Sequence, residues 1–294
     1  MKRLTIYLLM FVASLSASAY DFMVDGIAYN KNADGTSVTV TYTEFLSTSN
    51  YEGGSGTLSI PERVTYNGKT YSVTAIGNYA FEYCSGFTGA LTIPNSVTTI
   101  GSSAFKYCSG FTGALTIPNS VTTIGEYTFC GCSKLTGEVI IPDGVSVIRE
   151  NAFYNCSKIT KLVIGKSVEL IYPSAFYGMK GLKTVVANPA TPIEIVDNVF
   201  SGVNKASATL YVPFGSEQLY AEANVWKDFG IIKMIRKLGD VNGDNVVNTS
   251  DITALISMVL GETEYNLEIG DINGDGCVDV SDVTVLINLI LGGE

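Results

Sequence analysis

The stretch LTIPNSVTTIGSSAFKYCSGFTGA, residues 91–114, is followed directly by a close copy of itself, LTIPNSVTTIGEYTFCGCSKLTGE, residues 115–138. Less similar copies begin at Leu58 (with an insertion), Val139, Leu162, Val185 and Leu210. A unit of 23 or 24 residues cannot bury its apolar edge alone. The tandem copies therefore predict a repeat architecture in which each unit is covered by the next.

The apolar positions inside one copy are spaced by two and then by about three residues. This spacing predicts a short strand at 91–93, a turn at Pro94, a second extended piece at 97–100 and a tight segment that turns Phe105 and Cys108 inward. Like positions of stacked copies then form parallel ladders ~4.8 Å apart. The predicted fold is mainly β, a solenoid of about seven coils and roughly 30–35 Å in length.

Two columns of the solenoid are predicted to be buried along its whole length, because the same apolar residue type returns in every copy. The aromatic column consists of Phe81, Phe105, Phe129, Phe153 and Phe176. The aliphatic column consists of Ile76, Ile100, Ile124, Ile148 and Ile171.

The pattern L-x-I-P-x-x-V-x-x-I-x-x-x-A-F-x-x-C-x-x-L over residues 58–235 resembles the BspA-type leucine-rich repeats of bacterial surface proteins. The resemblance implies adhesion, with a host matrix protein or a bacterial surface protein as the partner. A glycan partner is kept as an alternative.

Both ends of a solenoid need a cap, because an uncovered coil exposes its apolar edge. Residues 20–57 contain two Asp-Gly turns between apolar runs, which predicts an antiparallel β cap, and Asn67-Gly68 predicts a hairpin within 64–73. The segment 216–235 has helical spacing and carries the only tryptophan, Trp226. It is predicted to be a helical lid, with Trp226 packed on the last coil.

Residues 1–19 have the pattern of a signal peptide: Lys2 and Arg3, then an apolar run, then Ala-Ser-Ala before Tyr20. The sequence thus predicts a secreted or cell-surface protein. No later segment approaches ~20 apolar residues, so no transmembrane segment is expected in the mature chain.

Charge and composition exclude several function classes. Residues 1–238 carry 18 basic and 17 acidic residues, a net charge of +1 (18 − 17), whereas 239–294 carry 11 acidic residues and no basic one. A basic face for nucleic acid is not visible. The chain has no histidine, and the scattered carboxylates of the solenoid show no convergent pair. We therefore expect no enzyme, no catalytic residues and no cofactor other than metal.

Cysteines and tyrosines recur in register. Cys84, Cys108, Cys132 and Cys156 are 24 residues apart, and we interpret them as buried free thiols, with disulfides or a metal site as the alternatives. Tyrosines flank the buried columns, where exposed rings suit protein or glycan contacts or simply form a solvated surface. They are Tyr83, Tyr107, Tyr127, Tyr154 and Tyr177.

The acidic tail contains the twin loops GDVNGDNVVNTSD (239–251) and GDINGDGCVDVSD (270–282). Calcium prefers six to eight oxygen ligands, and a loop with side-chain oxygens at positions 1, 3, 5, 9 and 12 and a carbonyl at 7 can wrap it. The predicted ligands of two Ca²⁺ ions are Asp240, Asn242, Asp244, Val246 (carbonyl), Asn248 and Asp251, and then Asp271, Asn273, Asp275, Cys277 (carbonyl), Asp279 and Asp282.

A helical pattern follows each loop, and this 31-residue repeat over 239–294 resembles a type I dockerin. The resemblance implies a small all-α module with two calcium-bound halves, which docks onto a cohesin in many relatives. Loop positions 10 and 11 are Thr249-Ser250 and Val280-Ser281, and the helices lack Lys and Arg. A cohesin partner and packing on the protein's own solenoid or on another surface protein therefore both remain open.

These observations divide the chain into a signal peptide (1–19), a β cap (20–57), a solenoid with a helical C-terminal cap (58–235) and a dockerin-like module (239–294). The predicted function is a secreted, non-enzymatic adhesion protein tethered by its calcium-loaded tail. The alternative is a subunit of a cohesin–dockerin assembly that degrades polysaccharides.

Overall fold

The structure is a computed structural model that describes residues 20–43, 56–244 and 246–292, apart from the side chain of Glu268. The predicted signal peptide and part of the predicted N-terminal cap lie outside the described residues. The fold is mainly β, with a solenoid of stacked coils followed by a small helical module, as the sequence predicts.

The N-terminal cap is a three-stranded antiparallel unit of β1 (Phe22–Val24), β2 (Ile27–Lys31) and β3 (Ser37–Thr41). The turn between β1 and β2 is Asp25-Gly26, with both φ angles positive at 50° and 78°, which matches the right-handed twist of a two-residue hairpin. β3 then pairs in parallel with β5 (Lys69–Ile76), so the cap continues directly into the solenoid.

The predicted insertion hairpin is present as β4 (Arg63–Tyr66) paired antiparallel with β5. Its turn residues Asn67 and Gly68 have φ angles of 49° and 75°. The hairpin packs beside the first strand, because the Tyr66 ring stacks on Phe22 with 4.3 Å between the ring centroids.

Two parallel ladders run along the solenoid. The shorter ladder contains β5, β6 (Thr99–Ile100) and β8 (Thr123–Ile124). In the coils that follow, β10 (Val147–Ile148) and β12 (Leu170–Ile171) form a separate parallel pair at the equivalent repeat positions. The longer ladder, called the long sheet below, contains β7 (Gly113–Leu115), β9 (Leu135–Ile140), β11 (Ile159–Ile164), β13 (Thr184–Ala187), β14 (Thr209–Val212) and β15 (Ile231–Met234).

The two predicted columns form the core between the ladders. Every phenylalanine of the predicted column is fully buried, and successive rings are stacked with centroids 5.3–5.9 Å apart. Phe200 extends the column by one more ring. All five isoleucines of the aliphatic column are buried as well. Both column predictions are confirmed.

The third side of each coil is held by backbone hydrogen bonds to the next coil, and left-handed backbone positions recur along it. The N–H groups of Tyr79, Phe81 and Tyr83 donate to the carbonyls of Ser102, Ala104 and Lys106 in the next coil. Tyr79 and Tyr83 have φ angles of 59° and 62°, and the same two positions are left-handed in the following coils. We call these bonds the cross-coil zipper. A Cβ at Gly131 would lie 2.4 Å from the Tyr107 ring, so a larger residue there would force that ring to move.

The C-terminal end of the solenoid differs from the predicted helical lid. The helix α1 covers only Glu217–Glu222, a 3₁₀ turn follows at Trp226–Asp228, and β15 then pairs in parallel with β14. Residues 216–235 therefore build a further coil. The segment 231–234 forms a strand although its sequence has helical spacing, because pairing with the edge of β14 gives its backbone N–H and C=O groups hydrogen-bond partners and also buries apolar area.

Trp226 nevertheless ends the core as predicted. It is fully buried and packs edge-on against Phe200, with ring centroids 5.5 Å apart. Its Nε1 donates to the carbonyl of Ile193 at 2.8 Å, and the hydroxyl of Tyr220 donates to the carbonyl of Pro189 at 2.8 Å. Burial raises the pKa of Tyr220 well above its usual value, so this hydroxyl stays a donor.

Replacing Trp226 by phenylalanine is expected to lower the free energy of unfolding by about 1–3 kcal/mol, because the buried Ile193 carbonyl loses its donor. Urea unfolding followed by circular dichroism measures this difference. Tyr172→Phe is the matched control, since Tyr172 is exposed. Equal urea midpoints for Trp226→Phe and the control would contradict the capping role of the indole N–H.

The C-terminal module contains α2 (Thr249–Val259), α3 (Leu267–Gly270) and α4 (Val280–Leu291). It has a separate apolar core of Val241, Leu255, Met258, Ile272, Val278 and Leu286. A helix follows each acidic loop, as predicted, and the short α3 before the second loop is an addition to that prediction. Within the described ranges, none of the helices has the length and apolar character needed to cross a membrane.

Candidate metal centre and interaction surfaces

The two acidic loops of the module are folded by their own side chains. In the first loop, Asp240 Oδ1 accepts the N–H of Gly243, and Asp244 Oδ1 accepts the N–H of Val246. In the second loop, Asp271 and Asp275 do the same 31 residues later for Gly274 and Cys277. In each of these turns an Asp side chain accepts a nearby backbone N–H. These local hydrogen bonds give the loop its curved shape, and the predicted ligand residues lie along it.

The residue at position 12 of each loop closes the loop onto the following helix. Asp251 is fully buried; its Oδ1 accepts the N–H groups of Val241 and Asn242, and its Oδ2 accepts that of Asn248. Asn248 in turn accepts from Ser250, so Asn248 and Asp251 form a capping box at the start of α2. Asp279 and Asp282 form the same box at α4.

This capping role is absent from the sequence interpretation, which treats position 12 only as a metal ligand. The signal that could have revealed it is an Asn or Asp three residues before an Asp at a helix start, which follows the capping-box pattern. One side chain therefore joins the two ends of the loop to the first turn of the helix.

Position 3 and position 11 are also joined in both loops. The side-chain amide of Asn242 donates to Ser250 Oγ at 2.7 Å, and that of Asn273 donates to Ser281 Oγ at 2.7 Å. The neighbouring position 10 is exposed in both halves, and Val280 has 68% of its surface accessible. The two halves thus present a threonine and a valine at equivalent outward positions.

The donor set of each loop fits a hard cation. It offers carboxylate and amide oxygens at five positions plus one carbonyl, which meets the lower limit of the oxygen count that Ca²⁺ takes. The pKa of Asp279 is lowered because the hydroxyl and N–H of Ser281 donate to it, which keeps this carboxylate ionised. Among the described residues, no three His, Cys, Asp or Glu side chains converge as a metal cluster.

The predicted cysteine column lies inside the solenoid. All six cysteines have free thiols, five of them buried, and only Cys277 is exposed. The thiols of Cys108, Cys132 and Cys156 each donate to a phenylalanine carbonyl of the preceding coil. Burial raises the pKa of these thiols, which leaves them protonated and unreactive. The interpretation as buried free thiols is confirmed.

Alkylation of the native protein with iodoacetamide is therefore expected to modify Cys277 alone, because only this thiol meets solvent. Peptide mass spectrometry after a short exposure measures the extent at each cysteine. Urea-unfolded protein is the control and should be modified at all six. Comparable labelling of Cys108 in the native protein would contradict the buried column.

The flanking tyrosines form two stacked pairs on the surface. Tyr83 and Tyr107 have ring centroids 5.2 Å apart, and Tyr154 and Tyr177 have centroids 4.8 Å apart. Lys106 lies 5.6–5.7 Å from the ring centroids of Tyr83, Tyr107 and Tyr127 and pairs with Glu82 at 2.8 Å. Since the stacked rings face one another, they present edges and hydroxyls to a partner rather than open faces.

Comparison with known proteins places this architecture in a family. The model described as BspA type leucine rich repeat region matches in six copies over residues 64–183 and 111–222, which together span more than half of the chain. The chain belongs to the BspA-type leucine-rich repeat family. The model described as dockerin type I domain matches residues 238–291. The BspA-type repeats and the dockerin are interaction modules, and proteins with BspA-type repeats are typically secreted or on the surface.

Solved structures similar to this BspA-type chain are bacterial leucine-rich repeat proteins. One from T. pallidum has 24% identity and a TM-score of 0.46, covering 56% of this chain and 70% of that one. One from Bacteroides ovatus has 21% identity and a TM-score of 0.36, covering 74% and 77%. A leucine rich cell surface protein from Faecalibacterium prausnitzii has 16% identity and a TM-score of 0.24, covering 78% and 97%. No curated protein matches the chain.

Proposed function

We propose that this BspA-type protein is an exported, non-enzymatic adhesion protein whose solenoid binds a protein or glycan and whose dockerin-like tail tethers it to a partner. One observation carries the proposal: a repeat solenoid and a dockerin match, which are both interaction modules, occur in one chain. The signal-peptide pattern of residues 1–19 supports export to the medium or the cell surface.

The tail is proposed to bind its partner when calcium is bound. We assign one ion to each loop, held by the side chains at positions 1, 3, 5, 9 and 12 and by the carbonyls of Val246 and Cys277. Calcium would neutralise part of the −11 charge of this segment (11 acidic residues, no basic one). The protein's own residues close each loop, because Asp251 and Asp282 connect the loop ends to α2 and α4.

The tether is proposed to be a protein contact of the exposed loop and helix surface. The dockerin match supports a cohesin as the partner. Thr249 and Val280 occupy equivalent outward positions, so the two halves offer different contacts to one partner surface. A surface protein other than a cohesin would use the same exposed side chains.

The second candidate function is a non-catalytic subunit of a cohesin–dockerin assembly that degrades polysaccharides. The observation that favours it is again the dockerin match over residues 238–291. In this case the tail places the protein within the assembly, and the solenoid contacts a neighbouring subunit or the substrate.

A capture experiment tests the tether. The chain from Tyr20 onward is passed over a panel of immobilised cohesins in millimolar calcium and again with a chelator. Retention in calcium and release by the chelator are expected, and Asp251→Ala together with Asp282→Ala should remove the retention. Glu262→Ala is the matched control, since Glu262 is an exposed acid of the same module outside both loops.

The solenoid is tested separately with host matrix proteins, bacterial surface proteins and glycans as immobilised ligands. Specific retention of the chain on one of these ligands supports adhesion. Retention on cohesins without binding to any of these ligands would favour the assembly subunit. Failure to bind any member of either panel would contradict the proposal.

A further inference from the structure

Three Asn-Gly pairs occur in the chain: Asn67-Gly68, Asn242-Gly243 and Asn273-Gly274. The last two pairs occupy positions 3 and 4 of the acidic loops, and the first forms the turn between β4 and β5, outside the long sheet. Asparagine followed by glycine deamidates readily, because glycine has no side chain to hinder its own backbone nitrogen. Position 3 of each loop is thus both a predicted calcium ligand and a site of spontaneous chemistry.

Deamidation of Asn242 uses the backbone nitrogen of Gly243 as the nucleophile. This nitrogen attacks Cγ of Asn242, so that an N–Cγ bond forms and the Cγ–Nδ2 bond breaks. The N–H proton of Gly243 goes to the departing amide nitrogen, which leaves as ammonia. Water then opens the cyclic imide at one of its two carbonyls and gives aspartate or isoaspartate, with no change in oxidation state.

In the folded first loop, hydrogen bonds occupy both reacting groups. The N–H of Gly243 donates to Asp240 Oδ1 at 2.9 Å. The side-chain amide of Asn242 donates to Ser250 Oγ at 2.7 Å and to Asp244 Oδ2 at 3.1 Å. Its Oδ1 accepts the N–H of Asp244 at 2.9 Å. Because the nucleophile and the attacked amide are each held by other partners, the reaction requires the loop to open.

The second loop repeats these bonds. The N–H of Gly274 donates to Asp271 Oδ1 at 2.7 Å. The side-chain amide of Asn273 donates to Ser281 Oγ at 2.7 Å and to Asp275 Oδ2 at 2.9 Å. The asparagine at position 3 is exposed in both loops, so the water that the reaction consumes is always at hand.

Opening of the loops is expected to depend on calcium because of their charge. The segment 239–294 carries 11 acidic residues and no basic one. Without the ion, the carboxylates at positions 1, 5 and 12 repel one another. Binding of the ion to the closed loop lowers the opened fraction by mass action.

We propose that Asn242 and Asn273 are modification sites that deamidate when their loops are free of calcium, and that isoaspartate at position 3 ends calcium binding by that loop. Isoaspartate carries the main chain through its side-chain carbon, which lengthens the backbone between positions 3 and 4 and displaces the ligand oxygen. A tail kept without calcium thereby loses its ion sites irreversibly. The inference rests on the proposed function, since it uses the calcium assignment of the loops.

The test incubates the chain from Tyr20 onward at mildly alkaline pH, in millimolar calcium and in chelator. Peptide mass spectrometry after peptic digestion measures deamidation at each asparagine, and labelling by an isoaspartate methyltransferase detects the isoaspartate. Asn242 and Asn273 should deamidate about tenfold or more faster in chelator, because only opened loops react. Asn67 is the internal control and should deamidate at one rate in both, since its turn is closed by the pairing of β4 with β5.

Two serine substitutions test whether the hydrogen bonds of the folded loops protect the asparagines. In calcium, Ser250→Ala should speed deamidation of Asn242 by roughly threefold or more, because the amide loses an acceptor. Ser281→Ala should do the same for Asn273 alone, so each variant is the matched control of the other. Thermal melts monitored by circular dichroism confirm that both variants are folded. An unchanged rate at Asn242 in Ser250→Ala would overturn the protective role of these bonds.

Calorimetric titration with calcium, before and after the incubation, separates this inference from the proposed function. Protein incubated in chelator should bind fewer ions than fresh protein, and protein incubated in calcium should bind as many. Calcium binding by fresh protein with equal deamidation rates in calcium and chelator would overturn the inference alone, and so would undiminished binding after complete deamidation. Failure of fresh protein to bind calcium would overturn the calcium assignment of the proposed function together with the inference.

Discussion

Replacing Phe129 by alanine is expected to lower the free energy of unfolding of the solenoid by about 3–5 kcal/mol. Phe129 is fully buried in the middle of the phenylalanine column, with ring centroids 5.6 Å from Phe105 and 5.3 Å from Phe153. The neighbouring rings are held by their own coils and cannot collapse into the space. The substitution therefore leaves a cavity as well as losing apolar burial.

Urea unfolding monitored by circular dichroism measures the loss. Phe214→Ala is the matched control, because Phe214 has 48% of its surface exposed and should change stability by less than about 1 kcal/mol. A loss at Phe129 no larger than at Phe214 would contradict a core that depends on the stacked rings.

Replacing Asp251 by alanine is expected to destabilise the C-terminal module strongly, even in calcium. The substitution removes the acceptor of three backbone N–H groups and one half of the capping box, which together contribute about 2–5 kcal/mol. It also removes a proposed ligand of the first ion. The module has a core of six buried residues, so its free energy of unfolding is small and a loss of this size is enough to destabilise it.

Calorimetric titration with calcium and helical circular dichroism measure the effect. Wild-type protein should bind two ions, and Asp251→Ala should bind at most one with reduced helical signal. Glu262→Ala is the matched control and should behave like wild type. Binding of two ions by Asp251→Ala with an unchanged spectrum would contradict both assigned roles of this carboxylate.

A comparison in chelator separates the two roles of Asp251. If the capping box contributes independently of metal, Asp251→Ala has less helix than wild type when neither protein holds calcium. If the chelated proteins give the same spectrum, the carboxylate acts through the ion alone. The same comparison applies to Asp282, whose hydrogen bonds repeat those of Asp251.

Much of the solenoid could be predicted because its repeats are nearly identical. Once residues 91–114 and 115–138 are aligned, Phe105 and Phe129 must occupy the same position in neighbouring coils, and so must Ile100 and Ile124. The turns at Asp25-Gly26 and Asn67-Gly68 could also be predicted, because these residue pairs tolerate positive φ.

Other features depend on contacts that the sequence does not display. The cross-coil zipper places tyrosines at left-handed positions, which residue preferences assign to glycine or asparagine. β15 lies in a segment with helical spacing and becomes a strand because β14 offers an edge. The cavity that Tyr211 and Ile269 line together could not be inferred, since it needs the relative positions of β14 and α3.

The cross-coil zipper has a mechanical consequence for a protein held at one end. Its N–H bonds run from one coil to the next, along the solenoid axis, so tension applied between the tail and a bound ligand loads them end-on. Only the boundary between two coils needs to open at a time, because each coil contacts its neighbours alone. Every coil that detaches releases about 80 Å of extended chain. Under pulling, this solenoid would lengthen in steps and stay attached by the coils that remain.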